Sequence, residues 1–129
     1  MHKRKKSLTL MELIVVIVIL GVLATLALTQ YGSYRERALD REAQANLKLI
    51  VAAEKIYRME VGGYYGTSDI SEINDNFKLL LPTGGDRRWD YQTVAGADSV
   101  CAQATRTDSG ARTWRMQNTD DDPSEGACP

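Results

Sequence analysis

The sequence predicts an α+β fold in which the second half of a long N-terminal helix packs on a small antiparallel β-sheet of three to four strands. The first observation is an apolar run over residues 8–28, continued by polar sequence whose apolar residues recur at helical spacing as far as Val61. The second is a series of short segments rich in β-branched and aromatic residues, separated by turn formers, beyond Gly62 and Gly63. A chain of 129 residues suggests one domain with a small core.

The apolar run is twenty-one residues long and contains one charged side chain, Glu12. At a rise of about 1.5 Å per residue, such a helix covers about 30 Å, the thickness of the hydrocarbon core of a bilayer. A carboxylate at the centre of a span costs about 2.5–3.5 kcal/mol and calls for a partner. Because Glu12 lies near one end of the run, a position at headgroup depth is an equally good interpretation of hydropathy alone.

The first seven residues are basic and polar, and Lys3, Arg4, Lys5 and Lys6 account for four of the sixteen Lys and Arg residues. The positive-inside rule therefore predicts a cytoplasmic N-terminus, with the chain beyond the apolar run on the far side of the membrane. No small-x-small site follows the run, so cleavage by ordinary signal peptidase is not expected. The rest of the chain holds twelve basic and seventeen acidic residues, which argues against nucleic-acid binding through net charge.

Residues 31–61 continue the helix in amphipathic form, and Gly62 and Gly63 provide its C-terminal stop. At 100° per residue the apolar positions form two stripes. The first stripe consists of Leu39, Ala43, Leu47, Ile50, Ala53, Tyr57 and Val61, and the second of Ala45, Leu49, Ala52, Ile56 and Met59. We expect the first stripe to bury against the sheet and the second to face neighbouring subunits, the alternative being a single wide core face.

The head begins with a connection over residues 64–76, in which Ser68 or Asp69 can cap a short helical turn through Ile73. Strands are predicted over residues 77–81, 89–94, 100–105 and 113–117. Their short connections favour an antiparallel sheet. The large side chains expected in its core are Trp89, Tyr91 and Trp114.

The two cysteines, Cys101 and Cys128, lie far apart without CxxC spacing, and His2 is the only imidazole, so a zinc site is disfavoured. In an oxidising compartment a disulfide between them is favoured over two free buried thiols. Closing this loop would contribute roughly 3–4 kcal/mol of stability.

Neither a catalytic constellation nor a phosphate-binding glycine loop is found in the sequence, so an enzyme and a cofactor are not expected.

Five arginines could form a basic patch for nucleic acid, but exposed positions around the strands explain them better. They are Arg87, Arg88, Arg106, Arg112 and Arg115.

The segment KKSLTLMELIVVIVILGVLATLALTQYGSY, residues 5–34, resembles the N-terminus of type IV pilins and of the pseudopilins of type II secretion. The shared pattern is a basic leader, a cleavage junction, a hydrophobic residue, Thr, Leu, another hydrophobic residue, Glu, and an unbroken apolar helix. Three positions depart from the usual pattern: Ser7 replaces glycine, Leu8 replaces phenylalanine, and Thr29 stands where many pilins have a helix-kinking proline. The chain is therefore identified as similar to this family over some thirty residues.

The resemblance implies cleavage by a prepilin peptidase between Ser7 and Leu8, N-methylation of the new Leu8 amine, and Glu12 as the fifth mature residue. In the family this carboxylate neutralises the N-terminal amine of a neighbouring subunit during assembly, which gives the charge a partner. The resemblance also implies that the apolar helices form the filament core. The residues expected there are Leu10, Leu13, Val16, Ile17, Leu20, Gly21, Leu23 and Ala24.

The resulting organisation has a leader at residues 1–7, a membrane and filament-core helix at 8–30, its amphipathic continuation at 31–61, and a globular head at 62–129.

Many pilins close a C-terminal loop with a disulfide, and major pseudopilins hold calcium in the corresponding region. Calcium is a weak candidate here, against a solvated acidic turn. The residues concerned are Asp120, Asp121, Asp122 and Glu125.

The function implied is that of a structural subunit, inserted in the inner membrane as a precursor and then polymerised into an extracellular type IV pilus for adhesion, motility or DNA uptake. Its partners would be identical copies, the prepilin peptidase and the inner-membrane assembly machinery. One alternative is a type II secretion pseudopilin, which would form a periplasmic piston. A second alternative, from another class, is a monomeric membrane-anchored binding module that keeps its leader.

Overall fold

The computed structural model describes residues 7–108, 110 and 112–129. Helix α1 spans Leu10–Val61 and helix α2 spans Ile70–Phe77. Four strands follow, in chain order β1 (Trp89–Ala95), β2 (Val100–Arg106), β3 (Thr113–Gln117) and β4 (Ser124–Glu125). The chain divides into two compact units, Met1–Ala38 and Leu39–Pro129. Most of the predicted leader, residues 1–6, lies outside the described residues.

Helix α1 ends where the sequence predicts, since Val61 is followed by Gly62 with φ +90°. Such a backbone angle favours glycine, and the Gly62 N–H still donates to the Arg58 carbonyl at 2.8 Å. Thr29 lies within the helix, and its hydroxyl donates to the Leu26 carbonyl at 2.9 Å. Threonine keeps the backbone donor that proline lacks, so the helix runs through this position.

The two apolar stripes of α1 have opposite environments in the unit Leu39–Pro129. Ala43, Leu47 and Ile50 of the first stripe are fully buried, whereas Val61 at its end is exposed. Every member of the second stripe is exposed, namely Ala45, Leu49, Ala52, Ile56 and Met59. The helical spacing therefore predicted the buried face correctly, and a single wide core face is excluded.

Helix α2 replaces part of a predicted strand. Asp69 caps it, because the Ser71 N–H donates to the Asp69 carboxylate at 2.7 Å. The helix continues past Ile73 to bury Phe77, so the strand predicted over residues 77–81 is wrong. The helix is favoured over the strand because the helical spacing of Ile70, Ile73 and Phe77 places all three side chains on the buried face of α2. After the helix, the Asn74 carboxamide bonds both the N–H and the carbonyl of Leu81, at 2.8 and 2.9 Å, in place of a sheet partner.

The sheet is an antiparallel meander of order β1-β2-β3-β4. Its register pairs Trp89 with Arg106 and Ala104 with Trp114. Three strands match the prediction to within one residue at each end, and the two-residue β4 was not predicted. The number of strands agrees with the expected three to four, and the α+β fold is confirmed.

The core of this unit lies between the sheet and the buried stripe of α1. Trp89 and Tyr91 on β1 are 1% and 2% exposed, and Trp114 on β3 is half-buried and packs against the core cluster. Ala102 and Ala104 of β2 are fully buried at the centre of the sheet. Their small side chains leave room for the large residues of β1 and α1.

Candidate assembly surface and processing junction

The predicted cleavage junction lies just outside α1. Ser7, Leu8 and Thr9 are not helical, and Leu8 exposes 68% of its surface. A protease must draw its substrate into an extended conformation, which a hydrogen-bonded helix resists. The peptide bond between Ser7 and Leu8 is therefore accessible without unwinding α1.

Thr9 and Glu12 are coupled at the start of α1. The Glu12 N–H donates to the Thr9 hydroxyl at 3.3 Å, and the Leu13 N–H donates to the Thr9 carbonyl at 3.2 Å. Thr9 thus caps the helix and places Glu12 in the first turn, where the helix dipole favours a carboxylate by about 0.3–1 kcal/mol. Among the described residues, the Glu12 carboxylate has no ion-pair partner.

The apolar residues at positions 10–28 of α1 are exposed in the described part of the chain. Among the described residues, one helix is long and apolar enough to cross a membrane, and its apolar 18-residue window is 0% buried. Beside Gly21 there is open space even for an added Cβ. All the residues predicted for a filament core are exposed, namely Leu10, Leu13, Val16, Ile17, Leu20, Gly21, Leu23 and Ala24. A continuous surface of this kind marks contact with lipid or with other apolar helices.

Hydroxyl groups within the apolar run are bonded to the helix backbone. The Thr25 hydroxyl lies 2.7 Å from the Val22 carbonyl and 3.2 Å from the Gly21 carbonyl. Together with the Thr29 bond, these contacts satisfy the polar groups inside the helix itself. The threonines therefore add little to the cost of an apolar environment.

The C-terminal tail is fastened to β2. Cys101 and Cys128 form a disulfide with a Cα–Cα distance of 5.9 Å, which confirms the predicted pairing and excludes two free thiols. The Cys128 N–H also donates to the Gln103 side chain at 2.7 Å. Strand β4 precedes the bridge and pairs with β3 through Glu125 and Trp114.

The acidic residues of the tail are not gathered into one site. Asp120 accepts the Gln117 N–H at 2.9 Å, and Asp122 forms an ion pair with Lys48. Asp121 and Glu125 are exposed. Within the described part of the chain, no three His, Cys, Asp or Glu side chains converge to hold a metal ion.

The arginines considered for a basic patch are largely paired with carboxylates. Arg87 forms an ion pair with Asp90, and Arg112 forms one with Asp40. The side chain of Arg106 is buried, pairs with Asp108 at 2.8 Å and lies over the Trp89 ring at 5.5 Å. These pairings stabilise the end of the sheet and neutralise much of the positive charge there.

Glu54 is a buried charge that the sequence analysis missed. It is fully buried on α1, and its carboxylate accepts the Tyr65 N–H at 3.0 Å while the second oxygen has no partner. Burial raises the pKa of Glu54 to about 7, partly offset by the Tyr65 hydrogen bond. Its position seven residues after Leu47, on the buried stripe, was the signal that helical spacing offered.

Comparison with known proteins matches residues 2–28 to the family described as the prokaryotic N-terminal methylation motif. The chain is 34% identical over 97 residues to the type IV major pilin protein PilA of Myxococcus xanthus, covering 74% of this chain and 40% of that protein. It is 38% identical over 68 residues to the type II secretion system core protein G of Pseudomonas aeruginosa, covering 52% and 48%. The chain thus spans less than half the length of either relative. No solved structure matches it.

Proposed function

The chain belongs to the type IV pilin and pseudopilin family, and on this premise we propose that it is the structural subunit of an extracellular type IV pilus. The observation that carries the proposal is the apolar helix surface that is 0% buried in the single chain. Lipid covers this surface in the precursor, and copies of the same helix cover it in the filament. No catalytic step is assigned to the protein.

The precursor is anchored in the inner membrane by residues 8–30. A prepilin peptidase cleaves it between Ser7 and Leu8, releasing the basic leader of residues 1–7, and the new Leu8 amine is methylated. The exposed, non-helical conformation of Ser7 and Leu8 supports this assignment. Once the leader is gone, the mature N-terminus carries an amine four residues before Glu12.

Glu12 provides the register of assembly. Its carboxylate lies in the first turn of α1 and has no ion-pair partner among the described residues, so it is available to the Leu8 amine of a neighbouring subunit. In an apolar filament core each of the two charges would be costly alone, and their pairing offsets that cost. A shift of one subunit along its neighbour would separate the charges. The pair therefore selects one axial position.

The amphipathic part of the helix and the head form the outer part of the filament. The Cys101–Cys128 disulfide holds the polar tail on the sheet. A disulfide persists in the oxidising environment outside the cell. The finer biological role, whether adhesion, motility or DNA uptake, would depend on this exposed head. Prepilin peptidase and an inner-membrane assembly machinery are the other partners that the proposal requires.

The alternative function is a type II secretion pseudopilin in a periplasmic piston. The similarity to the secretion core protein G of Pseudomonas aeruginosa favours this second candidate. The disulfide and the dispersed acidic residues of the tail favour the pilin, because the resemblance associates calcium in this region with the major pseudopilins.

The deciding experiment is purification of filaments sheared from the cell surface, electron microscopy of the filaments, and intact-mass measurement of their subunit. We expect long surface filaments whose subunit begins at methylated Leu8. Short assemblies confined to the periplasm would identify the pseudopilin. A monomer that retains Met1 would identify the anchored binding module and overturn both assembly functions.

A further inference from the structure

The segment that follows α1 covers part of the outer edge of β1. Strand β1 is the first in the sheet order, so β2 pairs with only one of its two edges. On the other edge, the Thr93 N–H donates to the Thr67 carbonyl at 2.8 Å, and the Thr67 N–H donates to the Thr93 hydroxyl at 3.1 Å. The same hydroxyl donates to the Tyr65 carbonyl at 2.8 Å. We call residues 64–67 the strap, because they bond this edge without forming a strand of the sheet.

The strap lies close against β1. A Cβ added to Gly66 would come within 3.0 Å of the Ala95 backbone nitrogen, which is closer than an ordinary van der Waals contact. Glycine therefore allows the two backbones to approach each other. An open edge strand presents unpaired N–H and C=O groups to other chains, so the strap protects β1 from such pairing.

Glu54 holds the strap from the side of α1. Its Oε2 atom accepts the Tyr65 N–H at 3.0 Å, and among the described residues this is the only hydrogen bond that the carboxylate makes. The Oε1 atom is buried without a partner. An ionised carboxylate enclosed in this way lacks the partners that would replace its water. The closed strap therefore favours protonated Glu54, and burial raises the pKa of this carboxyl group to about 7.

The other titratable groups around the strap have partners of their own. Arg58 on α1 donates to the Tyr64 hydroxyl at 3.2 Å, and the Tyr65 hydroxyl donates to Glu72 on α2 at 3.2 Å. The remaining groups are Tyr57 on α1, Tyr91 on β1 and Asp98 between β1 and β2. Within the described part of the chain, no cation bonds the Glu54 carboxylate to stabilise its ionised form.

We propose that Glu54 is a pH-sensitive switch, which keeps the strap on β1 while it is protonated and releases the strap when it ionises. The ionised carboxylate needs water at both oxygens, and movement of the strap admits water without unwinding α1 or separating the strands. The ordinary carboxyl pKa is 4.5 and that of Glu54 under the closed strap is about 7, so a rise in pH through this range favours the open strap. The inference is independent of the proposed function, because it concerns contacts within one chain.

Hydrogen exchange of the full chain in detergent tests the opening, followed by NMR and corrected for the intrinsic exchange rate at each pH. Protection of the Tyr65 and Thr67 amides should fall about tenfold or more between about pH 5 and 8. Low concentrations of urea should not change it, because a local opening exposes little surface. The Ala104 amide at the centre of the sheet is the reference, since its exchange requires unfolding of the head and should respond to urea. Equal protection and equal urea response of Tyr65 and Ala104 would overturn the proposal.

Three substitutions identify the group that controls the strap. Glu54→Gln should make the protection of Tyr65 and Thr67 independent of pH, because the amide does not ionise. Thr93→Val removes the hydroxyl bonds to the strap and should lower the protection at every pH while its pH dependence remains.

Glu72→Gln is the matched control, because it removes another carboxylate that bonds the strap through the Tyr65 hydroxyl. The pH dependence should persist in this variant. A pH dependence that survives in Glu54→Gln, or that disappears in Glu72→Gln, would show that Glu54 is not the switch. Unchanged protection in Thr93→Val would show that the strap is not held on β1 by these bonds.

Discussion

The carboxylate of Glu54 accepts a hydrogen bond from the backbone N–H of Tyr65 at 3.0 Å. This contact joins the buried stripe of α1 to the chain that leaves the helix through Gly62 and Gly63. Next to it, the Thr93 hydroxyl donates to the Tyr65 carbonyl at 2.8 Å, so β1 is tied to the same segment. Glu54 thus satisfies a buried backbone donor, at the cost of a carboxylate enclosed by the core.

We expect the stability of the protein to fall as pH rises through the range between the ordinary carboxyl pKa, 4.5, and the raised pKa of Glu54, about 7. In that range the folded state holds a proton that the unfolded state has released, so each increase in pH favours unfolding. The loss should amount to about 1–3 kcal/mol between pH 4 and 8. Urea unfolding of the full chain in detergent at a series of pH values measures it.

Glu54→Gln should remove this pH dependence, since the amide keeps an acceptor for the Tyr65 N–H but does not ionise. At pH 8 the variant should be more stable than the wild type, and near pH 4 the two should be similar. Glu60→Gln removes an exposed carboxylate from the same helix and is the matched control. An unchanged slope in Glu54→Gln would mean that another group governs the pH response.

The two faces of α1 should respond oppositely to truncation. Leu47→Ala removes a fully buried side chain from the core and should cost about 2–5 kcal/mol of unfolding free energy. Leu49→Ala, two residues on, removes a side chain that is 48% exposed and should change stability by about 0.5 kcal/mol or less. Chemical unfolding of both variants measures the two changes in unfolding free energy. Similar losses of unfolding free energy in the two variants would contradict the assignment of the stripes.

The disulfide should stabilise the head mainly by restricting the unfolded chain. Replacing Cys101 and Cys128 together by serine should cost about 3–4 kcal/mol, as expected for cysteines 27 residues apart. The tail from Asp120 onward should become sensitive to protease in the variant, while a wild-type sample under reducing conditions should behave in the same way. A double variant as stable and as protease-resistant as the wild type would show that β4 and the Gln103 contact hold the tail without the bridge.

Sequence patterns predicted the parts of the fold that local rules determine. Gly62 predicted the end of α1, and the spacing of Ala43, Leu47 and Ile50 predicted its buried face. The turns between β-branched segments predicted the strands β1 to β3. The errors arose where long-range contacts decide. Residues 77–81 carry a strand-like composition, but Phe77 completes a helical spacing and the Asn74 side chain replaces a sheet partner.

Two further features were decided by tertiary contacts. Strand β4 has only two residues, and its pairing with β3 depends on a tail that the disulfide holds in place. Glu54 has the spacing of a core residue and the chemistry of a surface residue, so only its contact with Tyr65 explains the burial. At the candidate site, the apolar helix was recognisable from the sequence.

Glu12 provides the most direct test of assembly, because it belongs to the unit Met1–Ala38 and not to the unit Leu39–Pro129, which contains the core. Glu12→Val removes an unpaired carboxylate from the apolar run, so insertion of the precursor should be as efficient as in the wild type or better. The Thr9 cap bonds the backbone of residue 12 and should persist in the variant. Filament yield, measured on the sheared surface fraction, should nevertheless fall at least tenfold, since the Leu8 amine of a neighbour would be left without its counter-charge in an apolar core.

The matched control is Glu12→Asp, which keeps the charge on a shorter side chain. Its filament yield should exceed that of Glu12→Val, because the shorter side chain still places a carboxylate near the Leu8 amine of the neighbouring subunit. In mixed filaments, wild-type subunits should incorporate Glu12→Val copies sparsely, because each such copy breaks one charge pair with a neighbour. Wild-type yields of regular filaments from Glu12→Val alone would show that assembly does not depend on the charge pair, and the register would then have to come from the packing of the apolar helices.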